Sequence, residues 1–544
     1  MKHFRYIFVA LFGLGLLFVN FACVESDQGK NFDSSSDIVV DDQKSSVFRR
    51  IWSDVPTLDP HHVTDTISAT IVVEIFSGLV TITPDLTVVP DLAESWVISS
   101  DGTIYTFYLR DNVLFQNGKK VTAYDVEYSL ERALSPSTMS PTAENFLGDI
   151  VGFDAVMSGK SNKLAGVHVL DDRTISITID QPKAYFLHKL TYPVSFVVDR
   201  EDIERNDDSW FLNPNGTGPF ILHEYIVGEK LVLRRNSKYY LEPAMLDYVI
   251  FKLSGGSALA MYENNEIDIT GVEVADIDRI SNVNDPLNSE VVVGIPGFDL
   301  SYIGFNVTMA PFDELDIRRA LAMSINKPLI ASQVLLDLVI PANGILPPNF
   351  PGYNFYYNEI NSGNEYNLEL ARELIGNSKY GSNVPRIIIT VPGMGGSVGL
   401  DLQVITQVWK DELSLNVEIE QVEWATFLDD FNARSFQAFV GGWQADYPDP
   451  ENFLDVNFHS KSQLNHTGYF NHNVDSLLED ARIEQLWETR KLLYNKAEKL
   501  IVQDVPIIPL WHSGENMVLI KPHIKGYRLT PLILPKLRFV YIEN

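Results

Sequence analysis

The pattern of apolar and polar positions in the first third of the chain predicts a hairpin region followed by a helix. The apolar-rich run Thr103–Arg110 indicates a β-strand, and the turn pair Asp101-Gly102 introduces it. A second turn pair, Asn117-Gly118, follows. Thr122 and Asp125 then form a variant of the capping box that begins a helix. Apolar residues of that helix recur at helical spacing, at Val126, Leu130, Ala133 and Leu134.

Strand-like and helix-like segments also alternate in the second half of the chain. Arg386–Val391 and Val417–Val422 are apolar runs of strand length, and Leu402–Leu413 between them has a helical pattern. A strand, a helix and a strand in this order favour an α/β lobe with crossover connections. A further strand pattern covers Phe436–Val440, and the strand-like run VFRRIW near Val47 marks the start of the fold.

The composition is that of a soluble globular protein with a sizeable core. Hydrophobic residues make up 45% of the 544 residues and charged residues 21%, which is ordinary for this class. A folded part of roughly 500 residues exceeds one hydrophobic core, so we expect at least two domains. The formal net charge of −30 repels nucleic acid and anionic lipid headgroups, which argues against both as partners.

The N-terminus has the pattern of a secretory signal peptide over residues 1–22. Lys2 and Arg5 precede the apolar run Tyr6–Val19, and the small residue Ala22 ends the segment. The apolar run is shorter than a typical membrane-spanning helix. We therefore expect export from the cytoplasm.

Cys23 is the single cysteine, which excludes intramolecular disulfides and multi-cysteine zinc sites. Its place directly after Ala22 resembles a bacterial lipoprotein site, where the thiol receives diacylglycerol. An uncleaved membrane anchor is the alternative and would hold the chain on the same side of the membrane. The polar tract that follows cannot bury enough apolar surface to order itself, so residues 23–46 are predicted to be a lipidated flexible tether.

The run GWQADYPDP, from Gly442 to Pro450, holds the strongest candidate for a binding site. Asp446 lies between the aromatic residues Trp443 and Tyr447, behind a glycine pair and ahead of two prolines. Glycine lets a ligand approach the backbone closely, and proline fixes the path of the chain. A carboxylate on such a loop suits a small cationic group, such as the ammonium of a peptide.

This run resembles a signature of the family-5 extracellular solute-binding proteins, which serve peptide-type ABC importers. The segment Pro90–Leu134 is similar to the longest motif of that family almost residue for residue. Further motifs occur in the family's order and cover nearly all of the chain after Val47. They are TLDPHH (Thr57–His62), GTGPF (Gly216–Phe220), YIGFN (Tyr302–Asn306), DIRRALAMSIN (Asp316–Asn326) and PIIPLWH (Pro506–His512).

The resemblance implies an α/β fold of the two-lobed periplasmic-binding-protein type (Venus-flytrap, class II) with an extra inserted domain. Lobe I would comprise residues 47–83, 186–292 and 509–544. The inserted domain II would comprise residues 84–185, and lobe III residues 293–508. Because the chain would cross between the main lobes twice, the crossings would form a hinge that permits closure around a ligand.

The resemblance also implies which residues contact the ligand. In peptide-binding members, the aspartate that matches Asp446 pairs with the α-ammonium of the ligand, and a dehydrated cleft strengthens this attraction. Trp424 matches a region that lines the ligand pocket in oligopeptide-binding members, although a core role is an equal alternative. The other expected ligand-binding residues are Gly442, Trp443, Gln444, Tyr447, Thr64 and Thr66.

The chain departs from the family pattern at the expected contact for the peptide's carboxyl end. Some oligopeptide-binding members place arginines between the two tryptophans, where Phe431 and Val440 stand here. A clamp for a C-terminal carboxylate would come from Arg434 or be absent.

Two other kinds of site compete with ligand binding. Gly395–Gly399 fits the G-x-S-x-G pattern of a hydrolase, and Ser397, Asp446 and His512 follow in the order of a catalytic triad. Against this, the match is short and family motifs of a non-catalytic lobe flank it. His61 and His62 are adjacent, and no histidine spacing places two imidazoles on one helix face, so no metal site is expected.

We therefore predict a membrane-tethered, monomeric receptor that captures a peptide and presents it to an ABC permease. It would be neither an enzyme nor a nucleic-acid-binding protein and would need no cofactor. A non-peptide solute, such as an oligosaccharide, an opine or a metal chelate, is the alternative ligand, and a serine hydrolase using Ser397 is a remote one.

Overall fold

The computed structural model describes residues 45–354, 365–393 and 398–543, and Ser45–Asn544 is one compact unit. The predicted signal peptide, Cys23, most of the tether and Ser397 lie outside the described residues. Among the helices within these ranges, none is both long and apolar enough to cross a membrane.

Seven strands of the described chain form a mixed sheet, here called sheet A. The strand β1 lies in its middle and pairs in parallel with both neighbours, and all other pairings are antiparallel. The strand predicted near Val47 is thus confirmed. In sheet order the strands are β12 (Val291–Gly294), β19 (Asn516–Ile520), β11 (Ile269–Gly271), β1 (Val47–Ile51), β10 (Tyr248–Lys252), β9 (Lys230–Arg235) and β8 (Phe220–Ile226).

Six strands of the described residues form a second mixed sheet, sheet B. Its β15 and β16 run parallel with helix α12 (Leu400–Leu413) between them in the chain, which confirms the predicted strand, helix and strand. In sheet order the strands are β14 (Val339–Pro341), β18 (Ile507–Ser513), β13 (Asp299–Phe305), β17 (Ala438–Gln444), β15 (Ile387–Gly393) and β16 (Val417–Glu423).

Four described strands form an antiparallel sheet, sheet C, in the segment that contains the predicted hairpin. In sheet order they are β4 (Ala93–Ile98), β5 (Ile104–Leu109), β7 (Thr174–Thr178) and β6 (Val167–Asp171). Gly102 joins β4 to β5 with a φ of +73°, a backbone conformation that favours glycine. Helix α2 (Ala123–Leu134) begins as predicted, because the Thr122 N–H donates to the Asp125 carboxylate at 2.8 Å.

Helices cover the faces of these sheets, and two small pairs of strands complete the fold. The strand pairs are β2 (Val80–Ile82) with β3 (Val88–Pro90) and β20 (Ile524–Lys525) with β21 (Tyr541–Ile542). The other helices are α1 (Thr66–Ile75), α3 (Ala143–Leu147), α4 (Phe153–Met157), α5 (Phe186–Lys189), α6 (Arg200–Asn206), α7 (Ala258–Glu263), α8 (Ile277–Ile280), α9 (Leu315–Met323), α10 (Lys327–Gln333), α11 (Leu368–Asn377), α13 (Trp424–Asn432), α14 (Glu451–Phe458), α15 (His472–Ile483) and α16 (Trp487–Asp504).

The chain passes between sheets A and B twice, and the structure moves one predicted boundary. The first passage joins β12 to β13, two residues beyond the predicted boundary at 292 and 293. The second joins β18 to β19, whereas the predicted boundary at 508 and 509 falls inside β18. The reason is pairing: β18 runs antiparallel to β13 up to Trp511, so the motif PIIPLWH belongs to sheet B.

Candidate functional site

A cavity of about 520 Å³ lies between elements of sheet A and sheet B. Strands β13 and β17 of sheet B form one side, together with helix α13. The opposite side comes from the start of helix α1, the segment Thr191–Pro193 and Phe196, and the strand β2 and helix α3 region complete the wall. Its size is typical of a site for a small molecule or short chain.

Asp446 lies directly beyond the end of β17 and lines this cavity. Its backbone N–H donates to the side-chain oxygen of Asn452 at 2.9 Å, and the Asn452 amide donates to the Asp446 carboxylate at 2.9 Å. Burial raises the pKa of the Asp446 carboxyl to about 7, although the hydrogen bond from Asn452 opposes this shift. The structure thus holds the carboxylate in position without giving it a cationic partner.

Asn452 organises the site and carried no signal in the sequence. It is completely buried on α14, and its side-chain oxygen also accepts a hydrogen bond from the Trp443 indole at 3.2 Å. One amide therefore orients both Trp443 and Asp446, two of the expected ligand-binding residues.

The residues from Gly441 to Gln444 are strand rather than loop, which corrects the prediction. They pair with β13 in an antiparallel register, with Gly441 opposite Tyr302. A Cβ at Gly441 would lie 2.8 Å from a Tyr302 ring atom, so this glycine is required by packing. At Gly442 the nearest atom would be 3.6 Å away, and this glycine lines the cavity, as does Gln444.

An aromatic row forms the wall on the side of α13. Trp424 stacks on Phe427 with ring centroids 5.9 Å apart, and Phe427 stacks on Phe431 at 5.6 Å. Phe431 in turn stacks on His466 at 3.6 Å. All four side chains line the cavity, so the structure gives Trp424 a place in the wall as well as a packing role.

The opposite wall brings in residues from distant parts of the chain. Thr64 and Thr66 line the cavity at the start of α1, where they were expected, and Asp65 between them does so too. Tyr192 donates its hydroxyl hydrogen to the Val63 carbonyl at 3.0 Å and stacks on Phe146 with centroids 3.9 Å apart. The sequence gave no hint of the last two residues, because isolated aromatics at such positions are usually core.

Two candidates from the sequence lie elsewhere. Tyr447 is fully buried outside the cavity wall and donates to Glu451, because the chain turns between β17 and α14 and directs this ring away from Asp446. Arg434 also lies outside the wall and donates to the Ser462 carbonyl at 3.2 Å. Within the described residues, the cavity is lined by the carboxylates of Asp65, Asp299 and Asp446 and by no lysine or arginine.

The side chains of the proposed triad do not come together in the described part of the chain. The buried His512 donates from Nδ1 to the Asp299 carbonyl at 2.8 Å, whereas a triad histidine would bond a carboxylate there. The partner of Asp446 is Asn452. Burial lowers the pKa of His512 to about 4, which makes it a poor base near neutral pH.

Comparison with known proteins agrees with this geometry. Residues 87–465 match the family described as bacterial extracellular solute-binding proteins, family 5 Middle. The probable deoxycholate-binding periplasmic protein YgiS of Escherichia coli (strain K12) is 31% identical over 88% of this chain and 89% of its own. The periplasmic oligopeptide-binding protein OppA of the same organism is 29% identical, over 89% and 90%.

Among solved structures, the Escherichia coli murein tripeptide binding protein MppA superimposes with a TM-score of 0.82 at 27% identity, over 92% of this chain and 99% of its own. MppA in its unliganded open form gives 0.62 at the same identity, over 92% and 98%. The predicted two-lobed α/β fold is thereby confirmed. The chain belongs to the bacterial extracellular solute-binding proteins of family 5.

Proposed function

We propose that this protein captures peptides outside the cytoplasm and presents them to the permease of an ABC importer. The observation that carries the proposal is Asp446, a cavity carboxylate held by Asn452 and facing no lysine or arginine among the described lining residues. An α-ammonium group would supply the missing opposite charge. The printed names of OppA and MppA, which specify an oligopeptide and a murein tripeptide, agree with this ligand class.

Binding would proceed by closure of the two lobes over the ligand. We assign lobe I to the body around sheet A, lobe III to the body around sheet B, and domain II to the body around sheet C. The two passages β12–β13 and β18–β19 would then act as the hinge. The lower TM-score against the open form of MppA supports a closed arrangement in this structure, and ligand contacts to both lobes would favour that state.

Within the closed cavity an extended peptide could use its backbone for affinity. Trp443 and Trp424 would supply apolar walls, and Gln444, Thr64 and Thr66 would supply polar contacts. The sites that the backbone leaves unfilled can take water, which makes such a cavity tolerant of different side chains.

A non-peptide solute is the second candidate, and the name of YgiS gives it a specific form. Deoxycholate is an anion, whereas the described cavity wall carries the carboxylates of Asp65, Asp299 and Asp446. Like charges at short range disfavour such a ligand. A neutral sugar would instead stack on Trp424 and Trp443.

The anchoring of the protein is a separate proposal, since Cys23 lies outside the described residues. We expect cleavage before Cys23, lipidation of its thiol and a monomer tethered to the membrane. Intact mass measurement of the membrane fraction would show the diacylglycerol adduct. A Cys23→Ser variant should lose the adduct, and an unmodified, uncleaved N-terminus in the unaltered protein would reject lipidation.

We also propose that the protein is not a hydrolase. Ser397→Ala should leave ligand binding intact and remove no esterase activity. An esterase activity that this substitution abolished would contradict the proposal.

The first experiment is native mass spectrometry of protein purified without added ligand. A series of bound masses that resolve into short peptides would establish peptide capture and give the preferred length. A single sugar, bile-salt or metal-chelate mass would refute the peptide proposal while retaining the receptor role.

A further inference from the structure

The cavity contains a second carboxylate whose charge no described residue balances. Asp65 caps helix α1, with its Oδ1 accepting from the Ser68 N–H at 2.9 Å. Its other oxygen, Oδ2, is buried and has no hydrogen-bond partner within the described residues. An ionised oxygen left in this state is costly, and the cost invites a cationic partner from outside the chain.

A second unpartnered acceptor belongs to the same wall. Thr142 is 1% exposed and lines the cavity, and its Oγ1 also lacks a hydrogen-bond partner among the described residues. It lies one helical turn before Phe146, whose N–H donates to the Thr142 carbonyl at 3.2 Å. Phe146 stacks on Tyr192, so Thr142 approaches the ring pair from the side of sheet C.

Tyr192 connects these groups to Asp446. Burial raises the pKa of its hydroxyl, and the negative charges of Asp446 and Asp65 raise it further. Both carboxylates are therefore close enough to influence one hydroxyl. The two acidic groups, the Thr142 oxygen and the faces of Phe146 and Tyr192 occupy one end of the cavity.

We propose that this end is a subsite for a cationic side chain, so that the preferred ligand is a peptide with a lysine or arginine near its α-ammonium group. The proposal rests on the proposed peptide-binding function. The ammonium of a lysine has three hydrogens to donate, and Asp65 Oδ2 and Thr142 Oγ1 offer two acceptors. The neighbouring aromatic rings add attraction for a cation. Asp446 remains available for the α-ammonium.

The test is calorimetry with tetra-alanine peptides that carry lysine at the first, second or third position, each matched with a norleucine peptide. At one position lysine should bind about tenfold more tightly than norleucine, a typical effect of one charge pair in a partly dehydrated site. Asp65→Asn should reduce that preference to below about twofold while the affinity for norleucine stays constant, because asparagine still caps the helix.

Two further variants sharpen the result. Thr142→Val should reduce the lysine preference without touching the helix cap. Asp111→Asn changes the net charge equally at an exposed surface site and should leave the preference intact. Equal binding of lysine and norleucine peptides, or a preference that survives Asp65→Asn, would overturn the subsite alone. Failure of every peptide to bind would overturn the proposed function together with it.

Discussion

The ammonium of Lys189 lies 3.0 Å from the carboxylate of Glu451, and both side chains are almost completely buried. Asp149 is a second partner of Lys189, at 3.1 Å. Burial alone would lower the pKa of Lys189, but the two carboxylates outweigh it and raise the pKa. Glu451 also accepts the hydroxyl of Tyr447, the residue after Asp446. The cluster therefore joins the segments assigned to lobe I, domain II and lobe III directly behind the cavity.

Replacing Lys189 by methionine should destabilise the fold strongly, because Asp149 and Glu451 would remain buried as uncompensated charges. Breaking such a pair costs about 3–5 kcal/mol. Urea denaturation would measure the change. Lys163→Met is the matched control: it removes an ion pair to Glu127 from a lysine that is 62% exposed and should cost less than about 1 kcal/mol. Equal losses in the two variants would show that the buried cluster is not a stabilising junction.

Much of the fold was predictable because its signals are local. The capping box of Thr122 and Asp125 and the run from β15 through α12 to β16 need only neighbouring residues. The strand character of Gly441–Gln444 was missed because it depends on pairing with β13, which lies more than 130 residues earlier. The same holds for the boundary inside β18, since that strand is placed by its pairing with β13 and β14.

The site divides in the same way. Trp443 and Asp446 stand within one motif, and the structure places both at the cavity. Tyr192 and Phe146 reach it only through the tertiary fold. Tyr447 was misplaced because composition names the aromatic residue but not the direction of its ring, which the contact with Glu451 fixes.

Asp446→Asn should weaken peptide binding by about 2–5 kcal/mol, the cost of removing one member of a dehydrated charge pair. Asparagine retains the size of the side chain and an acceptor for Asn452, so the fold should persist. Calorimetry with a peptide that the protein is shown to carry would measure the loss. The same peptide with an acetylated N-terminus should bind the unaltered protein weakly and lose little more in the variant. An unchanged affinity would exclude Asp446 as the ammonium partner.

Peptide affinity should depend on pH through Asp446. In the free protein burial raises the pKa of this carboxyl to about 7, whereas an ammonium ligand binds only the ionised form. Affinity should therefore be fully present above pH 7 and fall below it, by up to about tenfold per pH unit.

Calorimetry between pH 5.5 and 8 in buffers of different ionisation enthalpy would show proton release on binding below pH 7. Glu451, whose pKa burial raises to about 6, titrates in the same window. Asp446→Asn is therefore the necessary control, and a pH dependence that remained in this variant would assign the proton elsewhere.

The neighbouring glycines of β17 should respond to alanine in opposite ways. Gly441→Ala places a methyl 2.8 Å from the Tyr302 ring, and such overpacking costs about 1–3 kcal/mol of stability. At Gly442 the nearest atom is the Leu300 carbonyl oxygen at 3.6 Å, so the fold should change by less than about 0.5 kcal/mol. The new methyl would instead project into the cavity and lower peptide affinity. Thermal unfolding and calorimetry on both variants separate the two effects, and a Gly442→Ala protein that bound peptide normally would remove this strand from the ligand's path.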